Sequence, residues 1–258
     1  MRNVNNIKTK IIATIGPSSD TYEMLKKLHR AGMNVARINM SHATHKDAQN
    51  IINTVKKINT EQSSDFGPIG LLLDTQGPEI RTGVNQSDID LKVGDVVKLT
   101  IRDDIDVETS SIRINYKGLI KSVFKGSRIS IDNGLINFKV LSKDRESLTC
   151  KVLDGGKLGS KRHVNLPGVR VDLPSITKKD RKDINLAIKN NISFIALSFV
   201  RSAQDIHDLR QILQKKKSLA KIIAKIENQE GLDNIHEITQ ATDIVMVARG
   251  DLGIETDL

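Results

Sequence analysis

The sequence contains no tryptophan, and aromatic residues make up only 3% of it. A core of stacked aromatic rings is thereby excluded, so Ile, Leu, Val and Ala must fill the interior. There is one cysteine, Cys150. It can form no internal disulfide, which fits a reducing compartment. Its setting, the alternating stretch SLTCKVL, predicts a half-buried structural thiol rather than a nucleophile. Long apolar runs are also missing. FIAL and IGLLL are far too short to cross a membrane. The opening MRNVNNIKTKIIATIG has no signal-peptide form. Together these absences predict a cytoplasmic protein with no membrane partner.

Charge, in contrast, is plentiful. The 258 residues are 28% charged and 38% hydrophobic, with a formal net charge of +9. This composition fits a soluble globular chain of one large domain or two ordinary ones. Both signs interleave along the chain, and no set of aromatic residues accompanies the basic excess. That argues against a nucleic-acid partner and suits attraction of anionic, phosphorylated substrates.

The first third alternates apolar strands with amphipathic helices. KIIATIG reads as a buried strand. DTYEMLKKLHRAG reads as a helix with Met24, Leu25 and Leu28 on one face, ended by Gly32. MNVARINMS is a second strand. A helix follows with Ile51, Ile52, Val55 and Ile58 inward, and PIGLLLDT is a third strand. Continuous apolar strands between helices predict a parallel sheet covered on both faces. Between residues 82 and 166 the helical period disappears. DVVKLTI, SIRINY, SRISID, LINFKVL and SLTCKVL are short alternating segments split by Gly, Asp, Asn and Ser, the pattern of an all-β insert. The rhythm then resumes with a helix capped by Thr177, the strand ISFIALSFV, a helix, the strand KIIAKIE, the helix GLDNIHEITQA and the strand DIVMVARGD.

The predicted fold class is therefore α/β: a TIM-type (β/α)8 barrel, here incomplete with about six strands, carrying an inserted all-β lid domain. Its segments are 1–81 (first barrel part), 82–166 (lid) and 167–258 (second barrel part). An open doubly wound sheet is the alternative, but no G-x-G-x-x-G follows the first strand.

A parallel barrel builds its active site at the C-terminal ends of its strands. Five successive ends here carry polar groups: Arg37, Asn39, Ser41 and His42; Asp74 and Thr75, followed by Glu79 and Arg81; Ser198, next to the apolar Phe199; Lys225 and Glu227; Arg249 and Asp251. Lys225 and Glu227, two apart, share a strand face. Buried together they need a partner, a ligand or a metal; a structural ion pair is the plainer alternative. Glu227 and Asp251 supply two carboxylates, a number that suits Mg²⁺. Asn39, Ser41, Asp74 and Thr75 offer small oxygen donors with one charge, which suits a monovalent cation or, equally, a hydrogen-bond network without an ion. Gly250 lets backbone approach a ligand closely. His29, His207 and His236 fall in helices, and the six histidines show no metal-ligand spacing.

TKIIATIGPSS, GMNVARINMSH, LLLDTQGPEIRTG, VNLPGVRVDLPSIT, SFVRSAQD, IIAKIENQEG and IVMVARGDLGIE, in this order, closely resemble the pyruvate kinase family from about residue 8 to residue 255. The resemblance implies phosphoryl transfer from phosphoenolpyruvate to ADP, giving pyruvate and ATP, with Mg²⁺ (or Mn²⁺) and K⁺ as cofactors. It implies Glu227 and Asp251 as Mg²⁺ ligands, and Asn39, Ser41, Asp74 and Thr75 as the K⁺ site. Lys225 and Arg37 are implied to contact the transferring phosphoryl, with Lys225 also stabilising the enolate. Arg249, Gly250 and Asp251 are implied to hold the substrate carboxylate, and Asn39, His42 and Arg81 to face the nucleotide. Glu79, in the GPEIR form, goes with K⁺ dependence. The family suggests a homotetrameric parent enzyme. Gln76 and the pair Arg162-His163 depart from the family's usual lysine and Lys-Gly. The sequence ends before the barrel's last two strands, so an inactive or regulatory chain is one rival expectation. A carbon–carbon lyase on a similar barrel is another.

Overall fold

The computed structural model describes residues 8–61, 67–102 and 111–256. Among these residues no helix is long and apolar enough to cross a membrane. The chain forms two compact units. The first takes its residues from the chain up to Gly77, from Ser175–Lys225 and from Ile235–Met246; the second from Pro78–Pro174, Ile226–Asn234 and Val247 onward.

The chain enters the first unit through β1 (Ile11–Thr14), α1 (Tyr22–Arg30), β2 (Met33–Asn39), α2 (His45–Glu61) and β3 (Gly70–Asp74). Thr21 caps α1 by accepting from the Met24 N–H. Gly32, at φ +115°, turns the chain into β2. The inward face of α1 differs from expectation: Leu25 and His29 are buried, whereas Met24 is 37% exposed. His29 goes inside because its two ring nitrogens reach the carbonyls of Met33 (2.9 Å) and Gly67 (3.1 Å). On α2, Ile51, Ile52, Val55 and Ile58 are all buried, as their spacing requires.

The insert then supplies β4 (Ile89–Leu91), β5 (Val96–Thr100), β6 (Ser111–Arg113), the single helical turn α3 (Leu119–Ser122), β7 (Arg128–Ile131), β8 (Ile136–Lys143), β9 (Ser147–Asp154), β10 (Gly156–Leu158) and β11 (Val164–Asn165). They form a six-stranded sheet in the order β11-β7-β8-β9-β5-β6 and a two-stranded one, β10-β4. β4, β10 and β11 are two or three residues long, too short to show a period in the sequence. Asp132 and Asn133 take positive φ in the β7–β8 turn, ahead of Gly134. This unit has its own core, with Phe138, Leu99, Ile112, Ile129, Leu148 and Val152 inward.

The chain continues with α4 (Lys178–Lys189), β12 (Phe194–Leu197), α5 (Ala203–Lys215), β13 (Lys221–Ile226), α6 (Gln229–Asp233), α7 (Ile235–Ala241), β14 (Ile244–Val247) and α8 (Arg249–Glu255). Of these helices α4, α5 and α7 belong to the first unit, and α6 and α8 to the second. One expected helix is thus two, α6 and α7, separated at Asn234. The parallel sheet runs β1-β2-β3-β12-β13-β14, in strict sequence order. A doubly wound sheet reverses its order at a switch point; this one never does, so it is six strands of a singly wound (β/α) barrel. β1 is expected to be buried but is an outer strand: Ile11 and Ile12 are 53% and 46% exposed. β14, the other outer strand, exposes Val247.

Cys150 is fully buried in β9, and burial raises its thiol pKa to about 12. The native thiol is therefore expected to resist a maleimide or disulfide reagent until the chain is unfolded. Phe138→Ala, emptying the centre of the insert's core, is expected to lower stability by about 3–5 kcal/mol in denaturant titrations.

Candidate active site

Strand register sets the site. Asn39 lies beside Asp74, and Asp74 beside Ala196; Leu197 lies beside Ala224. Alternate residues share a face, so Val35 and Arg37, Leu72 and Asp74, Phe194 and Ala196, and Ile223 and Lys225 point the same way in pairs. Leu72, Ala196 and Ile223 pack together with Val35, Phe194 and Met246 as an apolar floor. One step further along the strands the same face turns polar.

The centre of that polar rung is Asp74, with no exposed surface. Arg37 donates to its Oδ2 from Nε at 2.7 Å and also from Nη2, the two-pronged contact that guanidinium geometry favours. On the other side Lys225 Nζ lies 3.2 Å from Oδ1. Lys225 is itself 8% exposed and donates to Ser198 Oγ at 2.8 Å. The Ser198 hydroxyl donates to the Thr75 carbonyl at 2.7 Å, and the Ser198 N–H donates to Thr75 Oγ1 at 3.1 Å. One carboxylate thus holds two cations, one on the adjacent strand β2 and one on β13 beyond β12, a local excess of one positive charge that favours an anion. The role of Ser198 exceeds what sequence reasoning gave it. Its only signal there was a polar residue at a strand end.

Asn39 Oδ1 accepts from the Ser41 N–H at 3.1 Å and shapes the turn after β2. His42 beyond it is exposed. After β3 the chain turns at Gly77, φ +74°, where a Cβ would lie 3.0 Å from both Phe199 Cδ2 and Ser198 Cβ. Only glycine lets the two strand-end loops approach this closely.

Other expected site residues belong to the second unit. Glu227 lies one residue past the end of β13 and is 1% exposed. Arg249, Gly250 and Asp251 are not on a strand end as expected but form the first turn of α8, because β14 stops at Val247. Asp251 Oδ1 is 3.7 Å from His163 Nδ1. Burial lowers the His163 pKa, against the carboxylates of Asp251 and Glu79, so the ring is neutral at neutral pH. Arg81 is paired to Glu79 Oε2 through Nε (2.7 Å) and Nη2 (2.6 Å) and donates to the Lys161 carbonyl. Among the described residues, no three His, Cys, Asp or Glu side chains gather as a metal site. At the end of α8, Glu255 accepts from Asn165 Nδ2 at 2.7 Å. Burial raises the Glu255 pKa, with Asp251 adding to the effect and the Asn165 and Leu166 N–H groups opposing it.

A carboxyl whose folded pKa is raised contributes its full stability below the unfolded value and loses it as pH rises through the folded one. Glu255→Gln keeps an acceptor for Asn165 and removes that loss. The variant is expected to melt higher than the parent at neutral pH, and the gap in midpoints should close towards about pH 4, the ordinary glutamate range.

The family model for the pyruvate kinase barrel domain matches residues 6–258. A protein named pyruvate kinase from Staphylococcus epidermidis is 47% identical over 252 residues, covering 96% of this chain and 42% of the relative. Another so named, from Staphylococcus aureus, is 44% identical over 251 residues with the same coverage. The chain thus spans 42% of the length of these relatives. Ordered β/α strands, a β insert after the third strand and cations clustered at the strand ends agree with this match: the chain belongs to the pyruvate kinase family.

Proposed function

We propose that this chain supplies the catalytic barrel of a phosphotransferase that moves the phosphoryl group of phosphoenolpyruvate to ADP, yielding pyruvate and ATP as the last step of glycolysis in the cytoplasm. The observation that carries the reading is the buried Asp74 carboxylate flanked by Arg37 and Lys225. Phosphoryl transfer leaves little covalent work to the protein. Catalysis is positioning plus neutralisation of charge on the equatorial oxygens and on the leaving enolate. Two cations fixed by one buried carboxylate meet that need without rearranging during the reaction. Lys225 sits between the apolar floor and the mouth, where its ammonium can follow the phosphoryl group and then the enolate. Arg37, whose Nη1 also donates to Thr14 Oγ1 at 2.6 Å, would bring its remaining N–H groups to the same oxygens.

Glu227 and Asp251 are the carboxylates suited to Mg²⁺ or Mn²⁺. A pair rather than a larger cluster fits an ion that takes its remaining oxygens from substrate and water. When bound, the ion would supply Lewis-acid polarisation of the phosphoryl oxygens. Asn39, Ser41, Asp74 and Thr75 would hold K⁺ through their oxygens; Asp74 would share its carboxylate among the ion, Arg37 and Lys225, with the anionic phosphoryl group balancing the added charge. Arg249, Gly250 and the Asp251 N–H groups would hold the substrate carboxylate; Asn39, His42 and Arg81 would face the nucleotide. The segment 82–166 would act as the lid that excludes water. Assembly as a homotetramer, with neither nucleic acid nor membrane as partner, completes the reading.

Pyruvate formation coupled to NADH oxidation tests it. Lys225→Met is expected to lower kcat by at least about 100-fold, as for loss of a transition-state cation. It should also lower the melting midpoint, because Asp74 and Ser198 lose a buried partner; circular dichroism at the assay temperature checks that the variant is folded. Absence of pyruvate formation dependent on both phosphoenolpyruvate and ADP in the parent protein would refute the assignment. Replacing K⁺ by tetramethylammonium should lower the rate, and Glu79→Lys should reduce that dependence. Because Glu79→Lys also releases Arg81, a raised KM for ADP should accompany it. An equal rate in both salts would rule out the K⁺ reading.

A further inference from the structure

α4 does more than cover the sheet. Its first turn is a capping box: the Thr177 hydroxyl and the Asp180 carboxylate bond each other's backbone N–H groups. A cap of this kind needs nothing further, yet Asp180 Oδ1 also accepts from the Gly77 N–H at 3.1 Å, in the loop after β3. Next to it, Lys179 Nζ donates to the Met40 carbonyl at 2.6 Å, in the loop after β2. One turn on, Asp183 is 1% exposed and bonds Lys179 Nζ at 2.8 Å through Oδ2. Its Oδ1 lies 2.6 Å from Nε2 of His45, the first residue of α2.

The β2–α2 loop is therefore gripped at both ends from one helix face: Lys179 at Met40, where the loop leaves the strand, and Asp183 at His45, where it enters the helix. Ser41 and His42 lie between the two grips. A buried aspartate is an expensive way to join two helices unless its position matters, and α2 and α4 are already joined by Gln49 and Asn190 (3.0 Å) and by Lys56 and Asn190 (3.2 Å).

We propose that Lys179 and Asp183 are positioning residues that hold the β2–α2 loop in the shape needed to bind a monovalent cation. This rests on the reading that Asn39, Ser41, Asp74 and Thr75 take K⁺; neither Lys179 nor Asp183 touches the ion. Without the Lys179 bond the loop samples other shapes, and apparent affinity falls by the fraction of time it spends in the competent one.

The test uses the whole chain and two measurements that need no turnover: amide hydrogen exchange over residues 40–45, and the K⁺-specific rise in melting temperature, with tetramethylammonium holding ionic strength. In Lys179→Met, loop exchange should be about tenfold faster, the consequence of losing one charge-assisted hydrogen bond. The K⁺ concentration for half the melting shift should rise about fivefold. Lys179→Arg, which keeps a charged donor, should restore both substantially. Lys56→Met, which cuts an α2–α4 contact away from the loop, should change neither. If Lys179→Met does not fold, Asp183→Asn takes its place with the same expectations. Unchanged loop exchange overturns the proposal, and so does faster exchange with an unmoved K⁺ midpoint. A parent protein with no K⁺-specific shift refutes the cation reading instead. In that case loop exchange alone decides whether the two residues hold the loop: faster supports it, unchanged rejects it.

Discussion

A carboxylate removed from water at the end of a parallel strand must find its countercharges within the fold, because an unpaired buried charge is among the least tolerable features of a protein interior. Asp74 finds them on both sides: Arg37 on β2, and Lys225 on β13 across the intervening β12. Each oxygen is committed to a different partner. The pairing exists only if β2, β3, β12 and β13 lie in that order with that register. The arrangement that neutralises Asp74 is thus the one that brings two cations to a single point. Strand order and site chemistry rest on the same contact.

Below that contact, the alternation of the strands does the rest. Leu72, Ala196 and Ile223 fill the face beneath the charged rung, with Val35, Phe194 and Met246 packed partly buried against them. The opposite faces of the same strands carry Leu71, Leu73, Ile195 and Ile222, all buried. Polar chemistry is confined to the strand ends because burial on both faces leaves it nowhere else to go. Phe199, at φ +55°, and Gly77 show the local consequence: backbone at the ends bends sharply so that Ser198 can bridge Thr75 and Lys225.

The second unit follows a different logic. Its strands are short, and its core is aliphatic apart from Phe138, Tyr116 and Cys150, so it is built by alternation and tight turns rather than by long apolar runs. Its titratable groups are shaped by burial: His163 is held neutral, and Glu255 is pushed towards its protonated form. His163 lies beside the first turn of α8, at Asp251, and Glu255 ends the same helix.

Much of this was legible from the residues alone. Unbroken apolar strands separated by amphipathic helices require a covered parallel sheet, and the loss of the helical period after residue 82 requires a β segment. Polar residues at successive strand ends identify the site, since nothing in a doubly covered sheet would otherwise place them there. Periodicity also indicated which residues of α2 turn inward. It failed for α1, where the hydrogen-bonding capacity of His29 outweighed the apolarity of Met24. It failed again for Arg249 and Asp251, because a strand and the helix that follows it can share one apolar stretch. Exposure of β1 and β14 was hidden as well, since an outer strand differs from an inner one only in its neighbours. The sequence by itself determined which elements form and which ends carry charge, because those depend on spacing along the chain. Only the tertiary structure decided that Asp74 holds both Arg37 and Lys225, that Ser198 joins them, and that α4 grips the β2–α2 loop. Those contacts join residues between 27 and 151 positions apart, so only the folded chain brings them together.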